Sequence, residues 1–409
     1  MAKRYDCDVA VIGAGPAGSR TARNIAAQGF RVKLLEEHRR IGVPSHCSGL
    51  ISLRTLAEAE IGEEAIIHRI SGAYVHTAGG RELALGGEDV RAVAIDRVRW
   101  DETLCQQAQE AGAEMVRARL VRVEREDGGL QLHAQRDGHD LTFTARLVVG
   151  ADGAHSRVAR SLGLPWPREK VYCLGIEGHL RLPREDFVHV FVGRKLAPGW
   201  FGWIIPVGDD QVRVGIGCHG TDRPIRCYRR LAEGFPHLFQ NVEPCRWYGG
   251  TIPLNFAPRS YADNVLLVGD AAGQVKPFSG GGIYTGLVAA RHCAAAAIEA
   301  LEADDLSAGF LARYQRRWKR EIGRELIRSF HIRRFGLALS DGEVDRIVGA
   351  LRSEGLQALA ARHGDIDYPS RVILRLARSL PALGTLAWLA LRRPLASMNL
   401  LRAQIPLGR

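Results

Sequence analysis

The stretch "CDVAVIGAGPAGSRTARNIAAQGFRVKLLEE", residues 7–37, constrains this chain more than any other. Val9, Ala10, Val11 and Ile12 form a short apolar run of the kind that builds a buried parallel strand. Gly13, Gly15 and Gly18 follow in G-x-G-x-x-G spacing, with Pro16 and Ala17 inside the turn. The first glycine permits a tight turn, the second lets a pyrophosphate approach the backbone, and the third lets the helix pack on the strand. The helix N-terminus then offers free N–H groups and a partial positive charge to phosphates. The next strand, "RVKLLE", ends at Glu36 beside Glu37, where a carboxylate can accept hydrogen bonds from ribose hydroxyls. Strand, turn, helix and acid together predict a dinucleotide-binding βαβ unit.

A chain of 409 residues is long enough for two or three domains, and its composition, 46% hydrophobic and 25% charged, is that of a globular protein. The net charge of +11 favours anionic partners, whether phosphorylated cofactors or lipid head groups. No zinc finger or other nucleic-acid module is present, so nucleic acid is not an expected partner. The eight cysteines are scattered without a C-x-x-C pair, which suits a reducing cytoplasm and predicts no metal site. The N-terminal apolar run is too short for a signal peptide and reads as a first strand. No uninterrupted apolar run is long enough to predict a spanning helix.

Two later motifs favour FAD over a nicotinamide cofactor. "ARLVVGADGAHSRVAR" carries an apolar strand into Gly150, Asp152 and Gly153. "DNVLLVGDAAGQVKPFSGGGIYTG" leads from strand Val265–Val268 through Gly269 and Asp270 to Gly280, Gly281 and Gly282, with Ile283 opening a helix. Asp270 can bond a polyol chain, and glycines at a helix start can present N–H groups to a flavin edge. This order of motifs resembles FAD enzymes with the p-hydroxybenzoate hydroxylase-like fold. In "AIDRVRWDETLCQQAQEAGAE", Arg97 takes the place of that family's flavin-contacting arginine. Only one dinucleotide fingerprint is present, so an external electron donor, NAD(P)H or a small redox protein, must dock transiently.

The fold class expected is α/β: a Rossmann-type FAD-binding domain, an antiparallel-sheet substrate domain and a helical C-terminal region. The flavin domain is assembled from about 1–70, 95–165 and 260–305, the sheet domain from 71–94 and 166–259, and the helical region from 306–409. The sheet insert holds "PGWFGWIIPVG", an aromatic cluster between prolines. Phe201-x-Trp203-x-Ile205-Pro206, followed by Gly215-x-Gly217, resembles the motif lining the lipid pocket of geranylgeranyl reductases, with Ile205 where phenylalanine is usual there. "GVPSHCSGLIS" resembles the same family's cysteine turn, which puts Cys47 and Gly49 by the flavin ring. Outside that context, such aromatics serve as sheet core and such a cysteine as a small inert hydrophobe. Alternation along a strand would send Trp200 and Phe201 to opposite faces and leave Phe201 and Trp203 on one.

The resemblance implies hydride transfer from reduced FAD to isoprenoid double bonds of a prenylated lipid, prenyl diphosphate or prenylquinone. Cys47 would then be a catalytic participant. A flavin monooxygenase of the same fold and a non-catalytic prenyl carrier are the alternatives. The C-terminal region is basic: "RYQRRWKREIGRELIRSFHIRR" at 313–334, then seven arginines and no acidic residue from 368 to 409. Arg371, Arg375 and Arg378 share one side of a helix, with Ile373, Leu374, Leu376 and Leu380 supplying an apolar side and Trp388 nearby. This pattern suits either a peripheral membrane interface on the cytoplasmic face or a helical cap with a solvated charged surface.

Overall fold

A computed structural model describes residues 5–220, 222–239 and 242–404. Its largest sheet runs Tyr261–Ala262, Val265–Leu267, His139–Gly150, Cys7–Ile12, Val32–Glu36, Glu114–Arg117. The first pairing in this row is antiparallel and the other four are parallel. Alternation along the first strand explains why its run is apolar throughout. Val9 and Val11 enter one core with Leu34, Leu147 and Val149, while Ala10 and Ile12 enter another with Leu35 and Val148. The first core is roofed by helices Pro16–Ala26, Ile283–Glu302 and Ala308–Trp318.

A seven-stranded sheet forms the second layer: Glu243–Pro253, Lys170–His179, Gln211–Cys218, Phe201–Gly208, Phe187–Val192, Gly72–Thr77, Glu82–Gly86. One segment expected in it lies elsewhere. Ala92–Ile95, within 71–94 and extending one residue past it, pairs with Leu50–Ile51 and Ile66–Ile70 in a separate three-stranded sheet. Its four residues are buried, and Arg91 N donates to Ile70 O, so the chain turns back before joining the larger sheet.

The C-terminal region is helical, as its patterning predicts. Ala308–Trp318 continues through a π-turn at Lys319–Gly323 into Arg324–Ala338. Helices Asp341–Leu351, Glu354–His363, Pro369–Ala377, Leu380–Arg392 and Pro394–Gln404 follow. Among the described residues, no helix is long and apolar enough to cross a membrane, and no cluster of three or more His, Cys, Asp or Glu could hold a metal ion.

Candidate active site

One cavity of about 1430 Å³ runs from the first glycine turn to the C-terminal helices. At its first end, Gly13 takes φ +100°, and a Cβ there would come within 2.5 Å of Ala151 O. A Cβ on Gly18 would overlap the Gly13 carbonyl, so this glycine seats the helix on the strand without lining the cavity. Gly15, by contrast, has open space where a Cβ would stand. It is the N-cap of Pro16–Ala26, whose first N–H groups have no side-chain cap. Glu36 closes the turn, its carboxylate accepting from Ala14 N at 2.9 Å and His38 N at 3.0 Å. Glu37 lines the cavity beside it.

Asp152 accepts from Arg157 N at 2.6 Å and Val158 N at 3.0 Å through one oxygen, while its buried Oδ1 has no partner. Gly153 lines the cavity next to it. Gly269 and Asp270 open a 3-10 turn just after the adjacent strand Val265–Leu267, and burial pushes the Asp270 carboxyl up to about 6, with Arg97 pulling the other way. Gly280, Gly281 and Gly282 line the floor, with Gly282 as the uncapped N-cap of Ile283–Glu302. A Cβ on Gly280 would come within 3.0 Å of the Trp200 ring, and one on Gly281 within 2.7 Å of Lys276 Cε. Free helix N-termini, an orphaned carboxylate oxygen and cramped glycines fit a phosphorylated, polyol-bearing cofactor such as FAD.

Arg97 is buried against Asp101, with N–O distances of 2.8 and 3.2 Å, and its Nε has no partner. Burial works against its charge, but Asp101 and the neighbouring Cys47 hold the guanidinium above its ordinary value. Cys47 lines the cavity and its Sγ accepts from Gly49 N at 3.4 Å. The turn carrying it is tied to the seven-stranded sheet: Arg213 donates to Ser48 O and Ile95 O, each at 2.9 Å.

The aromatic wall departs from the expected alternation. Trp200 lies just before the strand, in a turn where Gly199 has φ +73° and Trp200 N donates to Ala197 O. Its ring therefore stacks on Phe201 at 5.0 Å, and Trp200, Phe201, Trp203 and Ile205 all line the cavity. Arg333 fixes that turn, donating to Gly199 O at 2.6 Å with its guanidinium 5.0 Å from the Trp200 ring centre. Pro206, Gly215 and Gly217 do not line the cavity. Pro206 alternates to the other face of the strand, and the two glycines lie under aromatic rings. Trp203, Gly215, Gly175 and Tyr248 stand in register across four strands. A Cβ on Gly215 would overlap the Trp203 ring, one on Gly175 the Tyr248 ring, and one on Gly217 the Trp200 ring. Missing side chains let the rings lie flat as a wall.

The profile of a family described as an FAD binding domain matches residues 6–320. A digeranylgeranylglycerophospholipid reductase of Methanopyrus kandleri is 34% identical over 383 residues, covering 90% of this chain and 96% of the relative. The chain belongs to the geranylgeranyl reductase family of FAD-binding proteins. Another relative of that reductase name, from Methanothrix thermoacetophila, is 30% identical over 384 residues, covering 90% of this chain and 96% of its own. In fold, the chain is similar to a geranylgeranyl bacteriochlorophyll reductase-like protein from Thermoplasma acidophilum, with a TM-score of 0.83 at 23% identity over 94% of this chain and 98% of that one. This member of the geranylgeranyl reductase family is an FAD-dependent oxidoreductase.

In this reductase-family chain, the far end of the cavity comes from residues that carry no motif. Ile332, Phe335, Leu339, Ile347, Leu376 and Leu400, all from the C-terminal helical region, make an apolar chamber continuous with the glycine turn. The apolar side expected on Pro369–Ala377 thus faces inward: Ile373, Leu376 and Ala377 line the chamber and Leu374 is buried beside it. The side chain of Leu380 lies outside the described residues. A buried ion pair joins the two ends, with Lys276 Nζ 3.0 Å from Asp367 Oδ1 and donating to Ile366 O at 2.8 Å. Ser52 Oγ donates to the other Asp367 oxygen. Nothing in the local sequence of Lys276 or Asp367 signals this pairing across 91 positions.

Proposed function

We propose that this chain saturates isoprenoid double bonds of a geranylgeranyl-type glycerophospholipid, using FAD. The observation that carries the proposal is the unbroken cavity, which exceeds the volume of an ordinary small-ligand pocket and passes from the glycine turns to an apolar chamber. The names of the relatives support a glycerophospholipid substrate over a prenyl diphosphate or prenylquinone.

In this reading the helix start after Gly13 and Gly15, with Pro16 and Ala17, holds the pyrophosphate, Gly18 keeps that helix seated, and Glu36 and Glu37 face the ribose. Asp152, Gly153, Gly269 and Asp270 take the polyol chain, and Gly280, Gly281, Gly282 and Ile283 meet the ring edge, with Arg97 and Cys47 beside it. Reduced FAD supplies hydride when bound. The protein's share is positioning. Phe201 and Trp203, with Gly215 under Trp203, Gly217 under the neighbouring Trp200 and the strand continuing to Pro206, present a flat apolar wall that orients an unpolarised alkene and excludes water. The second hydrogen arrives as a proton, and Cys47 is its assigned carrier at the cavity surface. An external donor, NAD(P)H or a small redox protein, restores the cofactor.

The test is anaerobic. Dithionite-reduced protein is mixed with a geranylgeranyl glycerophospholipid, flavin absorbance is followed and the lipid is weighed by mass spectrometry. The expected result is reoxidation with two hydrogens gained per double bond, slowed at least tenfold in Cys47→Ala with flavin content unchanged. Persistence of reduced flavin until air is admitted, with hydroxylation of an aromatic substrate, would replace the reading by that of a monooxygenase. A colourless protein that binds prenyl lipid would point to a carrier.

A further inference from the structure

The last helix has two apolar faces, and only one of them is used inside the protein. On Pro394–Gln404, Ala396, Leu400 and Ala403 are buried against the body, and Leu400 reaches the lining of the chamber. Leu395, Met398 and Leu401 fall within an arc of about 120° on the opposite side. They are 80%, 45% and 60% exposed, and Leu391, at the end of the preceding helix, is 86% exposed. Four large apolar side chains so open to water on adjoining turns are not scattered surface residues but a patch.

The charged residues of the segment that carries this patch are all arginines. Arg392 and Arg402 are exposed on the same two helices and Arg393 between them, and no acidic residue occurs in the sequence from 368 onward. Arg393 is tied to Glu343 at 3.1 Å and the Arg392 guanidinium lies 5.1 Å from the Trp388 ring centre, whereas Arg402 has no acidic partner among the described residues. Leucines between arginines complement a surface that is oily within and anionic at its edge. The chamber lies under the same helices, since Thr385 of one and Leu400 of the other line it.

We propose that the face formed by Leu391, Leu395, Met398 and Leu401 docks on an anionic lipid bilayer, bringing the chamber beneath it to the source of its lipid. This rests on the lipid-reductase reading for its purpose but not for its measurement. The face differs from the one the sequence pattern suggests: the apolar side of Pro369–Ala377 is spent on the chamber, and the outward side of Pro394–Gln404 takes the surface role.

The experiment uses the full chain with FAD. It is sedimented with vesicles of phosphatidylglycerol and, separately, of phosphatidylcholine, alongside Leu395→Asp and Leu401→Asp. Both positions are exposed, so folding is checked by thermal melting and is expected to be unchanged. The expected result is binding to phosphatidylglycerol vesicles that falls about tenfold in either variant, with little binding to phosphatidylcholine. Turnover of lipid dispersed in detergent should be unaffected, while turnover of lipid presented in vesicles should fall with binding. Undiminished vesicle binding by both variants would overturn the proposal. So would light scattering that finds a dimer in the parent chain and a monomer in the variants, which would assign the face to a second copy. Face-dependent vesicle binding without lipid reduction in detergent would uphold the docking and remove the reductase reading.

Discussion

Gly175 and Gly215 matter through the rings that lie over them. With Trp203 above one and Tyr248 above the other, even a methyl group must lift an aromatic side chain into the cavity. Gly215→Ala is expected to keep its FAD but to raise the KM for lipid about tenfold, read by flavin absorbance and steady-state kinetics. Asp270 makes a different kind of prediction. Burial raises its folded value to about 6 from 3.8, so the folded apoprotein holds the carboxyl proton more tightly than the unfolded chain does. Stability from that proton is complete below the unfolded value and is lost as pH rises through the folded one. Asp270→Asn should therefore stabilise the apoprotein near pH 8 by on the order of 2–3 kcal/mol, and near pH 3.5 by nothing. Melting curves of the two apoproteins at each pH check this, and bound FAD should shrink the difference.

At the scale of elements, the parts visible in the sequence are those whose requirements are local. A strand, a glycine turn and an uncapped helix start are contiguous, so Gly13 and Gly280–Gly282 could be read directly. The row Trp203–Gly215–Gly175–Tyr248 was half legible: the two motif members stand in one stretch, but Gly175 and Tyr248 join through strand register. Trp200 was misread because the strand starts one residue later than its aromatic run. For the C-terminal helices, periodicity reveals an apolar side but not what that side faces. The Lys276–Asp367 pair links one such helix start to the glycine loop, with both side chains under 5% exposed. Asp367→Asn leaves a buried ammonium unpaired and should cost about 3–5 kcal/mol in urea unfolding. The double change Lys276→Met with Asp367→Leu should recover most of that loss.

On the scale of the whole molecule, the two sheets and the helical region contribute to one volume, so the length of the chamber is set by residues far in sequence from the flavin motifs. Ile347→Trp adds bulk at its far end. The expected outcome is at least tenfold slower turnover of a twenty-carbon prenyl chain with a fifteen-carbon chain still accepted, measured as flavin reoxidation rates on the two lipids. Asp367, buried on Lys276, is also the last carboxylate in the sequence, and no histidine, lysine or cysteine follows it. Apart from Tyr368, the ionisable side chains beyond it are all arginines, whose protons stay in place across the whole physiological range. Two titratable groups lie against it from other helices: Glu343, which the Ser340 backbone N–H keeps ionised down to about 2, and His331 beside Asn399 and Arg402, which burial holds below its ordinary value. Above neutral pH the charge of the proposed docking face is therefore constant, and its electrostatic part answers to ionic strength. Vesicle binding should hold level between about pH 7 and 9 yet weaken steeply as salt rises from about 0.05 to 0.5 M.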